Sequence, residues 1–210
     1  MRRNILFDFD GVILDSLPIK DFGFREVFKE FLKEQVEELI KFHQKNGGWS
    51  RFIKIRYFYE KILKRDISEK EILEYAEKFS QIMRGELVKK KYLISETVQF
   101  LKWASEKYNL HIVSGSEEKE LQYLCKHLDI EKYFITINGS PTKKAVLVQK
   151  ILEEYKYSKN ETILIGDSIN DYEASKENDI DFYGFNNLGL KNHKYIDTFE
   201  VFRKELEKNE

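Results

Sequence analysis

The chain has 210 residues, 35% of them charged and 41% hydrophobic, a globular composition with room for one full domain and a smaller second one. Its 36 basic and 37 acidic residues leave a net charge of −1, which exerts no global pull toward nucleic acid or an acidic membrane. The one cysteine, Cys125, excludes an intrachain disulfide and a thiolate metal cluster, and it fits a reducing, cytoplasmic setting. No stretch approaches the length of a membrane span. Met1-Arg2-Arg3 leads into an apolar run too short for a signal peptide, and Asp8 interrupts it at once.

The first element is Ile5-Leu6-Phe7-Asp8-Phe9-Asp10-Gly11-Val12. Its continuous apolar start suits a parallel strand buried on both faces. Asp8 and Asp10 end that run, and in an extended segment a spacing of two puts both on one side. Gly11 then allows a tight turn or a close approach to a ligand. Carboxylates at the carboxyl end of a buried strand lie where open α/β sheets bind ligands, and two so close need a cation or a shared proton.

From about Lys20 to Met83 apolar residues recur at helical spacing. Phe52, Ile55, Tyr59, Ile62 and Leu63 share one face, and Ile72, Tyr75, Ala76 and Phe79 repeat the pattern, with Gly47-Gly48 as a break. This reads as an all-helical insertion. Strands and helices alternate from about Leu93 onward. Strands are expected at Leu110–Val113, Phe134–Ile137, Thr162–Ile165 and about Ile180–Phe185, with helices between them and a last helix over Thr198–Glu207. That alternation means a parallel sheet with helices on both faces. The fold class expected is therefore α/β, a Rossmann-like parallel sheet core with an inserted all-helical cap domain. The core is expected over residues 1–14 and 86–210, the cap over 15–85.

Each polar motif follows a strand: Asp8 and Asp10, then Ser114 and Gly115, then Asp167 and Asp171. In a parallel sheet these ends share one edge, so distant residues converge on one site. Asp8 is a candidate nucleophile or ligand, and Asp10 a candidate general acid and base. Ser114 and the Gly115 N–H can hold a phosphoryl oxygen. The four carboxylates form an oxygen-rich cluster that selects Mg²⁺ over softer metals. A cation is still needed against phosphate charge. Lys144 points near the centre of the face carrying Leu147, Val148, Ile151, Leu152 and Tyr155, whereas Lys143 points well off it, so Lys144 is preferred.

In this order the residues resemble the haloacid dehalogenase superfamily of phosphatases. Its four motifs stand here as Asp8-Phe9-Asp10-Gly11-Val12, Ser114, Lys144 (or Lys143) and Gly166-Asp167-Ser168-Ile169-Asn170-Asp171. Asp15-Ser16 and Gly139-Ser140-Pro141 look most like the phosphoglycolate phosphatase and β-phosphoglucomutase branch. The resemblance implies a Rossmann-like core, a helical cap after the first motif, and a Mg²⁺-dependent aspartyl-phosphate mechanism on a small phosphorylated metabolite. Carried onto these residues, Asp8 attacks phosphorus, and Asp10 protonates the leaving oxygen and then activates water. Asp8, the Asp10 backbone carbonyl and Asp167 hold the metal, and Asp171 supports the metal or Lys144. Ser114, Gly115 and Lys144 bind the phosphoryl oxygens.

Residues outside the motifs receive plainer readings. His43, His111, His127 and His193 show no paired spacing and are read as structural or surface residues, and Cys125 as core. Arg51 and Lys54 share a helix face after Gly47-Gly48-Trp49. They form either a clamp for a substrate anion beyond the phosphate or an ordinary solvated basic face. Three other activities compete with the phosphatase. A β-phosphoglucomutase-like sugar phosphomutase uses the same core. A receiver-like phospho-acceptor module places its acceptor on a later strand and lacks a helical insertion. A true haloacid dehalogenase lacks the second carboxylate, so Asp10 argues against it.

Overall fold

A computed structural model describes residues 3–208. The outermost positions of the expected core, 1, 2, 209 and 210, lie outside the described residues. Strand β1 (Asn4–Phe7) is fully buried. It lies at the centre of a six-stranded parallel sheet with β2 (Asn109–Glu117), β3 (Thr136–Ser140), β4 (Thr162–Gly166), β5 (Asp181–Phe185) and β6 (Tyr195–Ile196), in the order β3-β2-β1-β4-β5-β6. Strand β1 thus pairs with β2 on one side and β4 on the other, and the chain reverses direction across the sheet there. The carboxyl end of β1 is the crevice where such sheets take ligands.

The alternation of side chains along β1 divides the core. Leu6 joins Val113 and Leu164 under α7 (Lys144–Glu154) and α8 (Ile169–Glu177). Ile5 and Phe7 face the other way, into a larger cluster with Phe100 of α5 (Ser95–Ala104) and Phe199 and Phe202 of α9 (Phe199–Lys208). That cluster runs on through Phe9, Val12, Ile13 and Leu14 into the helical block.

The block comprises α1 (Leu17–Val27), α2 (Lys33–Lys45), α3 (Arg51–Tyr57), a π-helical turn over Phe58–Leu63, and α4 (Glu69–Glu86). Local chemistry starts these helices. The Ser50 hydroxyl accepts the Phe52 N–H, and Ser68 and Glu71 form a reciprocal capping box at α4. Inside, Phe24 and Phe79 pack at 4.5 Å and Phe28 and Phe58 at 4.4 Å between ring centroids. The two connections to the sheet lie side by side. Leu14 bridges Leu93, the Ile94 N–H donates to Ile13 O at 2.9 Å, and the Asp15 N–H to Tyr92 O at 2.8 Å.

The boundaries differ from the sequence reading in instructive places. Strand β2 does not stop at Val113; it continues to Glu117 through a register shift, so Ser114 and Gly115 lie within it. Strand β3 covers Thr136–Ser140 instead of Phe134–Ile137. Phe134 packs its ring 6.1 Å from that of Phe7 out of a loop, while the strand starts at Thr136-Ile137 and runs on through polar Asn138-Gly139-Ser140. Apolar content marked the packing there, not the backbone pairing. The helical block begins three residues earlier than expected and ends three later. Strand β6 was not foreseen, because two residues are too short to show a period. No helix among the described residues is long and apolar enough to cross a membrane.

Candidate active site

The turn after β1 places the first motif. Asp8 continues the sheet, its N–H donating to Ile165 O at 2.9 Å, and the chain then folds back as the Ile13 and Leu14 N–H groups reach Phe9 O. Gly11 turns with φ of +74°, and a β-carbon there would collide with the Asp167 carboxylate. The turn therefore brings the β1 and β4 ends together. Two asparagines beyond β5 brace it: Asn186 donates to Gly11 O at 3.0 Å and Asn187 to Asp167 O at 2.7 Å.

Asp8 and Asp10 are each held by their own lysine. Asp8 is buried, its Oδ1 3.1 Å from Lys144 Nζ and accepting the Phe9 N–H at 2.7 Å. Its Oδ2 is buried with no hydrogen-bond partner. Lys144 is also ion-paired with Asp171, whose other oxygen accepts the Ser168 N–H at 3.0 Å and hydroxyl at 2.7 Å. Lys144 is buried and Lys143 exposed, as the helix face implied. Asp10 Oδ2 accepts from Lys20 Nζ at 2.5 Å and from the Ser116 hydroxyl at 2.6 Å, and Oδ1 accepts from the Ser16 hydroxyl. Lys20 reaches Ser116 as well, at 2.9 Å.

These surroundings separate the two acids. Burial raises Asp8 to about 7, helped by the Asp171 charge and opposed by Lys144. Burial would also raise Asp10, but the Lys20 charge and the hydrogen bonds from Lys20, Ser116 and Ser16 outweigh it and hold the group at about 2. Asp167 is pushed well up by burial and then by the charges of Asp8 and Asp171. Burial pulls Lys144 down, yet Asp171 and Asp8 more than restore it and keep it a cation.

Asp8, Asp167 and Asp171 each bring a carboxylate oxygen within 4.8 Å of the others. The unpartnered Asp8 oxygen, the crowded carboxylates and the all-oxygen donor set fit a hard divalent cation. The Asp10 carboxylate is turned away toward Lys20, so only its backbone remains for such a role.

Ser114 is fully buried, and its hydroxyl accepts the Ser116 N–H at 3.1 Å. Gly115 lies against the helical block, where a β-carbon would overlap Gly48 O; Asn170 donates to the same carbonyl at 3.2 Å. The Gly47-Gly48-Trp49 loop thus rests on the sheet edge and roofs a cavity of about 20 Å³ between Asp8, Asp10, Lys20 and Gly115. That is room for a water molecule or two.

Arg51 and Lys54 belong to this roof, and neither is solvated. Arg51 makes a two-nitrogen ion pair with Glu120 of α6 (Glu118–His127), donates to the Ser80 hydroxyl at 2.7 Å, and lies 4.6 Å over the Phe79 ring. Lys54 Nζ is 2.8 Å from His43 Nδ1 and 3.0 Å from Gly47 O. The other histidine nitrogen faces Asp21 Oδ1 at 3.6 Å. His111 is a buried residue of β2, between Thr136 and Tyr157, and Cys125 is buried in the core.

Sequence reasoning missed Lys20, Ser116 and Glu120. Two signals were present. Lys20 lies on the α1 face of Ser16 and Phe24, four residues from each, and the argument that favours Lys144 favours it too. Ser116 shares the Ser114 face of an extended strand. Glu120 carries no such mark, since acidic residues are ordinary in a helix's first turn.

A parallel sheet that gathers buried carboxylates, a compensating lysine and a helical roof at one strand edge defines an enzyme, a hydrolase of the phosphatase kind. The model of the haloacid dehalogenase-like hydrolase family matches residues 5–185, and the chain belongs to that family. A relative named phosphorylated carbohydrates phosphatase, from Thermotoga maritima, is 25% identical over 188 residues, covering 86% of this chain and 83% of its own. Two solved structures share the fold. The β-phosphoglucomutase of Clostridium difficile has a TM-score of 0.76 at 18% identity, covering 100% of this chain and 99% of its own. A predicted phosphoglycolate phosphatase of Haemophilus somnus has a TM-score of 0.74 at 16% identity, covering 98% of both chains.

Proposed function

We propose that the protein is a Mg²⁺-dependent phosphatase of a small phosphorylated metabolite, of the phosphorylated-carbohydrate class, working through an aspartyl-phosphate on Asp8. The observation that carries the reading is Asp8 itself. It is a buried carboxylate at the end of the central strand, with one oxygen on Lys144 and the other unpartnered beside Asp167 and Asp171. In this reading residues 15–85 are a cap over a core of 1–14 and 86–210. The paired connections and the roof residues Arg51 and Lys54 support that division. The buried lone thiol of Cys125 fits a cytoplasmic setting.

Asp8, Asp167 and the Asp10 main-chain carbonyl would hold Mg²⁺, with Asp171 in support, and the bound ion would neutralise the clustered carboxylates and the phosphoryl oxygens. Asp8 attacks phosphorus in line with the ester oxygen. Lys144, the Gly115 N–H and Ser114 hold the phosphoryl oxygens as charge redistributes. The alcohol leaves with a proton from Asp10. Water then attacks the acyl-phosphate and gives its proton back to Asp10. Lys20, Ser16 and Ser116 hold Asp10 ionised, the form the second step needs. The first step requires Lys20 to draw off so that Asp10 carries a proton.

The test is phosphate release from sugar phosphates, phosphoglycolate, nucleotides and an aryl phosphate, with Mg²⁺ or with a chelator. Metal-dependent release from a sugar phosphate, lost in Asp8→Asn, is expected. Full activity in Asp8→Asn, or release indifferent to the chelator, refutes the reading. Strong dependence on a bisphosphorylated activator moves it to the phosphomutase.

A further inference from the structure

Arg51 stands where a second anion of a substrate would look for a cation. It lines the cavity above Asp8 and Asp10, on the roof side away from Lys144. A guanidinium there is suited to two-point recognition of a carboxylate or a second phosphate. The protein already fills that role. Both terminal nitrogens of Arg51 are on Glu120, Nη1 also reaches Ser80, and its face covers Phe79. The Glu120 side chain is 0% exposed and that of Arg51 4%.

We propose that Glu120 determines specificity: by occupying Arg51 it takes the place of a second substrate anion and restricts the enzyme to phosphate monoesters with an uncharged leaving alcohol. This rests on the phosphatase reading above. A second anion would have to displace a carboxylate tethered in the same position. It would leave Glu120 buried and unpaired, with a like charge beside it. The pair also spans the two halves of the site, Arg51 on α3 and Glu120 on α6. With the roof seated on the sheet edge, Arg51 therefore already has its internal partner. The other cations around the cavity are engaged as well. Lys20 is on Asp10, and Lys144 is on Asp8 and Asp171. Lys54 Nζ lies against His43 Nδ1 and donates to Gly47 O, and burial followed by the Lys20 charge lowers its affinity for a proton. Among the described residues lining the cavity, Lys20 and Arg51 are taken by carboxylates, and Lys54, with only His43 and Gly47 O beside it, is buried and holds a proton poorly. A bisphosphate, which a phosphomutase must hold, meets the same barrier.

The experiment compares kcat/KM for glycerol phosphate and glucose 6-phosphate with that for phosphoglycolate and fructose 1,6-bisphosphate, all with Mg²⁺. The wild type is expected to prefer the uncharged leaving groups by about tenfold or more. Glu120→Gln keeps the shape and frees Arg51, so the ratio moves toward the charged esters by about tenfold, chiefly through KM. The joint replacement of Arg51→Met and Glu120→Leu removes both charges and keeps the wild-type ranking. Turnover of p-nitrophenyl phosphate in every variant reports folding and core chemistry. A wild type inert toward all esters and the aryl phosphate refutes the phosphatase reading. Turnover with a preference for charged leaving groups, or an unmoved ranking in an active Glu120→Gln, overturns the role of Glu120 alone. If Glu120→Gln does not fold, the wild-type ranking and the double variant decide.

Discussion

Lys144 and Lys20 are both buried lysines in the first turn of a helix, each on an aspartate of the first motif, at 3.1 and 2.5 Å. They belong to opposite halves of the molecule. Lys144 is fixed by the sheet: it follows β3, faces the end of β1, and neutralises Asp8 and Asp171 together. Lys20 is delivered by the helical block and reaches Asp10 only because α1 lies over the strand edge. The floor of the cavity holds charges whose positions the sheet determines, whereas the roof brings charges that depend on how it is seated. In the proposed mechanism the floor would carry the bond-breaking chemistry and the roof its timing and selection.

Exchanging each lysine for methionine separates the two roles. Lys144→Met strands two buried carboxylates, so phosphate release should fall about a thousandfold and stability by about 3–5 kcal/mol. Lys20→Met strands only Asp10, which keeps its two serine donors, and kcat should fall about a hundredfold. Steady-state kinetics and urea unfolding of both variants check this, and a larger loss at Lys20 would break the contrast. Gly115→Ala tests the seating directly. Its new methyl group would press on Gly48 O and lift the roof, lowering kcat/KM about tenfold while the fold persists. Unchanged kinetics would mean that the roof does not rest on β2 during turnover.

The effect furthest from turnover concerns acid stability. Burial lowers His111, on β2, to about 4; burial and then the Lys54 charge lower His43, in the roof, to about 2. Below about pH 6.5 the unfolded chain binds protons that the folded histidines refuse. Stability is therefore complete above that pH and declines as pH falls, by about 3 kcal/mol for His111 down to pH 4. His111→Gln should flatten the decline between pH 6.5 and 4, whereas removing His43 should flatten it below pH 4 as well. Urea midpoints at pH 7, 5 and 3.5 read this out.

The same contrast explains what was legible beforehand. Asp8, Asp167 and Asp171 follow strands, and a parallel sheet leads strand ends to one edge, so a linear motif becomes a site without knowledge of the packing. The choice of Lys144 over Lys143 needed only the helix period. The expectation for Arg51 and Lys54 put both on one helix face and left their partners open. Glu120 lies sixty-nine residues from Arg51, and His43 meets Lys54 only after α2 folds against α3. Helix-to-helix partners come from tertiary packing, which no local spacing records. Strand β3 shows the same limit at the level of backbone: its polar residues pair while the apolar Phe134 before them packs from a loop.

The two chain crossings between sheet and helices have a mechanical meaning. Residues 13–15 and 92–94 are hydrogen-bonded to each other by the Ile94 and Asp15 N–H groups and by the Leu14–Leu93 bridge. Two independent tethers would let the helical block tumble over the site. Tied together, they act as one narrow ribbon that twists about its own length far more readily than it shears. Any swing of the block would then be confined to a single arc, one that would bring the same carbonyl of Gly48 back to the same glycine of β2.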